Sequence, residues 1–358
     1  MSLIERKNQL MKSVFIPLII SLAMILSSCS SKEKQELTYK NPVFEPVIAD
    51  PSIIKAKDGY FYAFGTEDDW GDQKGSRLIP IVRSKDLVNW KYVGQAFENK
   101  PDWKGTGSLW APDIRFFNGN YYLYYSMSVW GDSNPGIGVA VSDVAKGPYK
   151  DQGKLFDSES IGVGNSIDPC VFEDDDGTAY LFWGSFHGIF GIKLSENRLS
   201  TVGEPFHIAG NDFEASYMIK RGKYYYYFGS RGTCCEGENS SYNIAVGRSK
   251  SIKGPFVDKD GTDLLQGGGT LVLTGNFPND KGERLFAGPG HNAIIKDDNS
   301  MYWMVYHAVD KNNPLLPNGA TRRPLMIDPI KWKKGWPVID GLVPSNKTKS
   351  GPIFYEQS

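Results

Sequence analysis

Along the chain, short runs of apolar and aromatic residues are cut at close intervals by Gly, Asn and Asp, and helical periodicity is not sustained beyond the N-terminal segment. Five stretches repeat one design, a turn pair followed by aromatic-rich alternation: Asp58-Gly59-Tyr60-Phe61-Tyr62, Asn118-Gly119-Asn120-Tyr121-Tyr122, Asp176-Gly177-Thr178-Ala179-Tyr180, Arg221-Gly222-Lys223-Tyr224-Tyr225 and Asn299-Ser300-Met301-Tyr302-Trp303. Each predicts a hairpin turn entering a strand. Their starts lie roughly sixty residues apart on average, enough for four strands with loops, so the repeat predicts an all-β chain folded as a five-bladed β-propeller. A β-sandwich is the plainer alternative, but it would not predict a repeat of this length with a charged residue at one fixed place.

The stretches before the turns are also alike: Ala49-Asp50-Pro51-Ser52-Ile53, Ala111-Pro112-Asp113-Ile114, Ile167-Asp168-Pro169-Cys170-Val171, Phe213-Glu214-Ala215-Ser216-Tyr217 and Gly290-His291-Asn292-Ala293-Ile294. Each predicts the innermost strand of a blade. Four carboxyls and one imidazole are therefore expected around one mouth of the central channel. Further on, Val82 to Trp90, Val141 to Tyr149 and Val246 to Phe256 each predict a third strand, a polar turn and an aromatic residue that covers the blade.

A basic start containing Lys12 leads into the apolar run Val14 to Leu26, too short and wrongly flanked for an ordinary membrane span. It predicts an export signal, with Met11 as a conventional start. Leu26-Ser27-Ser28-Cys29 resembles a bacterial lipoprotein signal, which implies lipidation of Cys29 and an anchor in the outer membrane, on its periplasmic or cell-surface face. Residues 1–29 are assigned to this signal, 30–40 to a polar tether, 41–345 to the propeller and 346–358 to a C-terminal tail. The formal net charge of −1, with no long block of one sign, argues against nucleic acid as a partner. The chain is expected to act as a monomer, touching membrane only through its lipid. Cys170, Cys234 and Cys235 remain, and the adjacent pair is read either as a vicinal disulfide or as two small buried residues.

Several acidic groups around one cavity crowd each other, and desolvation favours their neutral forms, so their pKa values are driven apart. Glycosidic bond hydrolysis uses that separation: one carboxylic acid protonates the leaving oxygen while a carboxylate activates water or attacks the sugar. Ala49-Asp50-Pro51, Leu109-Trp110-Ala111-Pro112-Asp113, Asn165-Ser166-Ile167-Asp168-Pro169, Gly184-Ser185-Phe186 and Gly288-Pro289-Gly290-His291 resemble the motifs of family 43 of the glycoside hydrolases, over about Asn41 to Val343. Within that family, Gly232-Thr233-Cys234-Cys235-Glu236-Gly237 with Ser241-Tyr242-Asn243-Ile244 is most similar to arabinan endo-1,5-α-L-arabinanases.

The resemblance implies an inverting mechanism on arabinan or arabino-oligosaccharides. Asp50 would be the general base, Glu214 the general acid, and Asp168 the group that sets the acid's pKa and orientation. Phe213-Glu214-Ala215-Ser216 departs from the Glu-Gly-Pro or Glu-Ala-Pro form expected at the acid. Trp110, Gly131, Asn165, Ile167, Ser185, Phe186 and His187 match substrate-contacting positions, His187 standing where an aromatic is expected. His291 matches a residue at a central metal, usually calcium held mostly by water, and its plain alternative is a hydrogen-bonded core histidine. Asp113 is given no catalytic role and is read as structural. Trp70 and Trp130 are either sugar platforms or blade covers. Two other functions compete: a β-xylosidase or α-L-arabinofuranosidase using the same acids, and a non-catalytic glycan-binding propeller.

Overall fold

The computed structural model describes residues 36–355; Cys29, the signal segment and most of the expected tether lie outside them. Five antiparallel sheets of four strands follow one another along the chain, each with its strands in sequence order. Their inner strands are Ser52–Lys55, Ser108–Phe117, Cys170–Glu173, Glu214–Arg221 and Phe286–Lys296, and consecutive inner strands touch, the last returning to the first. This is the expected five-bladed propeller. Every predicted turn joins an inner strand to the second strand of its blade. Four of the turns use a left-handed glycine, and in the fifth Ser300 takes that conformation with φ 65°.

The second strand of each blade is buried on both faces, which explains the near-continuous aromatic runs. Tyr125 packs between blades 1 and 2 with Phe64 and Leu123, whereas its neighbour Tyr124 packs between blades 2 and 3 with Val171 and Trp183. Phe182, beside Trp183, turns the other way to Tyr227 and Phe256 of blade 4. Side chains of this size contribute about 1.5–3 kcal/mol each when fully buried. The expected covers Trp90, Tyr149 and Phe256 are all buried, and Trp90 Nε1 and the Tyr149 hydroxyl each donate at 2.7 Å to a nearby carbonyl, Leu87 O and Ala145 O.

Two expected boundaries are corrected. Thr38–Tyr39, at the end of the expected tether, pairs antiparallel with Lys349–Ser350 in the expected tail. Tyr39 is buried, and Phe354 packs on Phe61 of blade 1 with ring centroids 4.5 Å apart. Both segments are polar enough to read as linkers, but a propeller must be closed, and no strand is shared between the first and last blades. Asn41 completes the closure: its amide donates to Ile327 O at 2.8 Å and accepts from Ile327 N at 2.9 Å in blade 5. Cys234 and Cys235 form a disulfide, and Cys170 is a free buried thiol.

Candidate active site

Within or just ahead of every inner strand one non-glycine residue adopts a left-handed backbone: Asp50 (φ 53°), Ala111 (φ 44°), Asp168 (φ 60°), Ala215 (φ 56°) and His291 (φ 49°). Such conformations cost about 1–3 kcal/mol each and persist only where surrounding structure enforces them. In blades 2, 4 and 5 the ladder is bulged at this point, between Trp110 and Asp113, Glu214 and Tyr217, and Gly290 and Ala293.

This register corrects the expected ring of groups. Ala111, not Asp113, occupies the repeated place in blade 2, and Ala215 occupies it in blade 4, with Glu214 one residue ahead. Asp113 lies two residues further along its strand, where it accepts from Ser52 Oγ at 3.2 Å, Val171 N at 2.7 Å and Arg115 Nε and Nη2 at 2.9 Å each. It ties blades 1, 2 and 3 together and is structural. Of the five expected groups, three carboxyls and one imidazole gather at the mouth.

What enforces the backbone is a hydrogen bond across each blade boundary from the left-handed residue to the preceding blade's second strand or the residues just after it. Ala111 N donates to Thr66 Oγ1, Asp168 N to Ser126 Oγ and His291 N to Ser230 Oγ, each at 2.9 Å, and Asp50 N donates to His307 Nδ1 at 3.0 Å. The boundary between blades 3 and 4 departs from the pattern. There Ser185 Oγ donates to Glu214 Oε2 at 2.7 Å, and Ala215 N donates instead to Asp168 Oδ2 at 3.1 Å. Asp168 thereby holds the backbone beside Glu214, and a structural serine is released to the glutamate.

The carboxyls differ in their surroundings. Burial alone would raise the Asp50 carboxyl, but the Arg323 guanidinium first, then His291, hold it well below the usual range. Arg323 Nη1 lies 3.1 Å from Asp50 Oδ1, Thr66 Oγ1 donates to Oδ2 at 2.5 Å, and Nδ1 of both histidines is 3.4 Å from Oδ1. Burial raises Glu214 above the ordinary glutamate value despite hydroxyls from Tyr242 and Ser185. Asp168 is raised as well, by burial and by the negative charges of Glu214 and Asp50. Burial opposes charge on His291, but its contact with Asp50 raises the imidazole, while burial pushes His307 down to about 3 and leaves it neutral. Asp68 is pushed up to about 6 by burial, against the pull of Arg323.

The expected substrate contacts fall into two groups. Asn165, Ile167, Ser185, Phe186 and His187 come together: Asn165 Nδ2 donates to Ser185 O at 2.9 Å, Ile167 N donates to Asn165 O at 2.9 Å, and His187 Nδ1 lies 3.1 Å from Ser185 O. Phe186 and His187 are exposed beside them. Trp110 stands immediately before Ala111, as Ile167 does before Asp168, and its ring lies 5.9 Å from that of Trp130, which precedes Gly131. Trp130 is 81% exposed and suits a platform. Trp70 is only 7% exposed, clamped between Arg77 at 4.0 Å and Tyr92 at 5.1 Å, and is a cover. Thr66, Tyr242, His307 and Arg323 escaped the sequence reading as site residues. For Thr66 and His307 a signal existed, because a hydroxyl or imidazole recurs at Thr66, Ser126, Ser185, Ser230 and His307, just before or after each second strand ends.

Among the described residues no three His, Cys, Asp or Glu groups meet in metal-ligand geometry, and His291 Nδ1 is turned to Asp50. One imidazole is far from the six to eight oxygens that calcium prefers. The donor set does not build a calcium site by itself.

The profile of Glycosyl hydrolases family 43 matches residues 39–337. This chain belongs to that family. An extracellular endo-α-(1→5)-L-arabinanase of Bacillus subtilis is 35% identical over 304 residues, covering 81% of this chain and 87% of the relative. An extracellular exo-α-(1→5)-L-arabinofuranosidase of Cellvibrio japonicus is 36% identical, covering 73% and 80%. The family 43 fold is shared with the α-L-arabinanase of Cellvibrio cellulosa solved with arabinohexaose, at a TM-score of 0.71 and 31% identity over 83% of this chain and 96% of the other.

Proposed function

We propose that this family 43 enzyme hydrolyses the α-1,5-linked L-arabinofuranosyl bonds of arabinan, with Asp50 as general base, Glu214 as general acid and Asp168 holding the acid in place. The observation that carries the assignment of roles is the division between the two carboxyls. Arg323 and His291 hold the Asp50 carboxyl well below its usual range, while burial raises Glu214 above its own. Two carboxyls pushed apart in this way are what acid–base hydrolysis of a glycoside requires.

In this reaction water enters opposite the leaving group and passes a proton to Asp50 as its oxygen bonds to the anomeric carbon. Glu214 gives its proton to the departing glycosidic oxygen, and the configuration inverts. Asp168 accepts the Ala215 N–H, which fixes the peptide that carries Glu214. Trp110, Trp130 and Phe186 offer apolar faces to furanose rings, and Asn165 and His187 lie beside them for hydroxyls.

Substrate choice rests on the arabinan-directed relatives. Products from linear debranched arabinan test it: arabino-oligosaccharides or arabinose, released first as the β-anomer by NMR, are expected. Predominant xylose release from xylan, or tight glycan binding without turnover, would overturn it. The extracellular relatives support export, and Leu26-Ser27-Ser28-Cys29 supports a lipid anchor at Cys29 in the outer membrane of a monomeric enzyme. Acyl mass on an N-terminal Cys29 peptide, lost in Cys29→Ser, tests the anchor.

A further inference from the structure

Tyr242 is a buried residue just before the strand Asn243–Ser249 of blade 4, and it meets both halves of the catalytic apparatus. Its hydroxyl faces the Glu214 carboxyl and favours the ionised form of that group. Its ring lies on the His307 imidazole, with centroids 5.9 Å apart and planes at 15°. His307 Nδ1 in turn accepts the backbone N–H of Asp50. A single side chain thus spans from the acid to the imidazole that sets the backbone of the base.

The surrounding sequence is shaped around this ring. A Cβ at Gly290 would fall 1.9 Å from Tyr242 Cδ1, and one at Gly288 would fall 2.1 Å from Ser240 Oγ. Both glycines of Gly288-Pro289-Gly290-His291 therefore leave room for the segment Ser240 to Tyr242. That segment is pinned from its other side: Tyr242 N donates to Thr233 O at 3.1 Å, Thr233 N donates to Ser241 Oγ at 3.0 Å, and Ser240 Oγ also donates to Thr233 O. Thr233 is followed directly by the Cys234–Cys235 disulfide.

We infer that Tyr242 is a positioning residue for the reaction, its hydroxyl orienting the Glu214 carboxyl and its ring seating His307 so that Asp50 keeps its left-handed backbone. The inference rests on the proposed roles of Glu214 and Asp50. The hydroxyl favours the ionised form of Glu214 by donating to it, so its removal raises the pH at which the acid loses its proton. A residue that served only packing would change stability and leave that titration alone.

The test is Tyr242→Phe beside Glu214→Gln, each assayed for kcat and KM against pH on linear arabino-oligosaccharides and on an aryl arabinofuranoside with an activated leaving group. Phenylalanine keeps the ring over His307 and Gly290, and thermal unfolding verifies the fold. For Tyr242→Phe the expected result is a basic limb of kcat/KM moved to higher pH. With it comes a kcat about tenfold lower on oligosaccharide, the weight of one hydrogen bond to a charged group, a smaller loss on the activated substrate, and little change in KM. A basic limb identical to wild type in folded Tyr242→Phe overturns the inference. If Glu214→Gln itself retains wild-type turnover on oligosaccharide, it is the acid assignment that fails. Gly290→Ala gives a second reading, because it displaces the ring without removing the hydroxyl. It is expected to lower kcat in step with Tyr242→Phe, and wild-type kinetics in folded Gly290→Ala would also overturn the inference.

Discussion

Arg323 Nη1 sits 3.1 Å from Asp50 Oδ1 and 3.4 Å from Oδ2, reaching across from the loop ahead of blade 5's third strand to the residue two places ahead of blade 1's inner strand. A guanidinium at this distance keeps the base ionised inside a buried site. Arg323→Met is expected to raise the Asp50 pKa, because burial is then less opposed. Asp50 works as the carboxylate, so the acidic limb of kcat/KM moves to higher pH. An acidic limb unchanged in Arg323→Met would remove the guanidinium from this role.

The same depressed carboxyl links folding to acidity. A group whose folded pKa lies below its unfolded value stabilises the protein above the unfolded pKa, and that contribution is lost as pH falls through the folded value. Asp50→Asn is expected to flatten the loss of Tm below about pH 4, the ordinary range of an aspartate. A Tm profile with the same slope in both proteins would show that the site does not take part in acid unfolding.

Asp50→Ala and Glu214→Ala are each expected to lower kcat by about a hundredfold or more, as for positioned acids and bases. Only Glu214→Ala is expected to be spared on an aryl substrate whose leaving group needs no proton. Equal losses on both substrates would place Glu214 outside the acid role.

Trp130 and Trp70 should separate by what they change. Trp130→Ala removes an exposed ring beside Trp110 and is expected to raise KM on long oligosaccharides by about tenfold, the scale of one aromatic contact, with Tm unchanged. Trp70→Ala removes a buried ring and is expected to cost about 3–5 kcal/mol of stability with KM unchanged. Denaturant unfolding and oligosaccharide kinetics on the two variants decide this.

The blades were readable because each hairpin carries its own turn chemistry: Asp58-Gly59, Asn118-Gly119 and Asp176-Gly177 mark their positions with no knowledge of neighbours. Motif and repeat mark Asp50, Asp168 and Glu214 as candidates. The one-residue offset of Glu214 and the two-residue offset of Asp113 are not legible, since a bulge leaves no mark in residue types. Arg323 and Tyr242 are hidden for a different reason. Arg323 acts on Asp50 from more than 250 residues away, and its neighbours in sequence say nothing of that contact. Thr38–Tyr39 and Lys349–Ser350 are too short to announce a strand alone, and only their pairing makes them one.

That pairing leaves the two ends of the catalytic unit side by side, with Gly351 N donating to Leu37 O at 2.7 Å. Blade order is therefore cyclic in space although it is linear in synthesis. A short peptide joining Tyr355 to Glu36, with new ends cut at the exposed Asp176-Gly177 turn, would give a circularly permuted enzyme whose blades keep all their neighbours and whose active mouth stays whole.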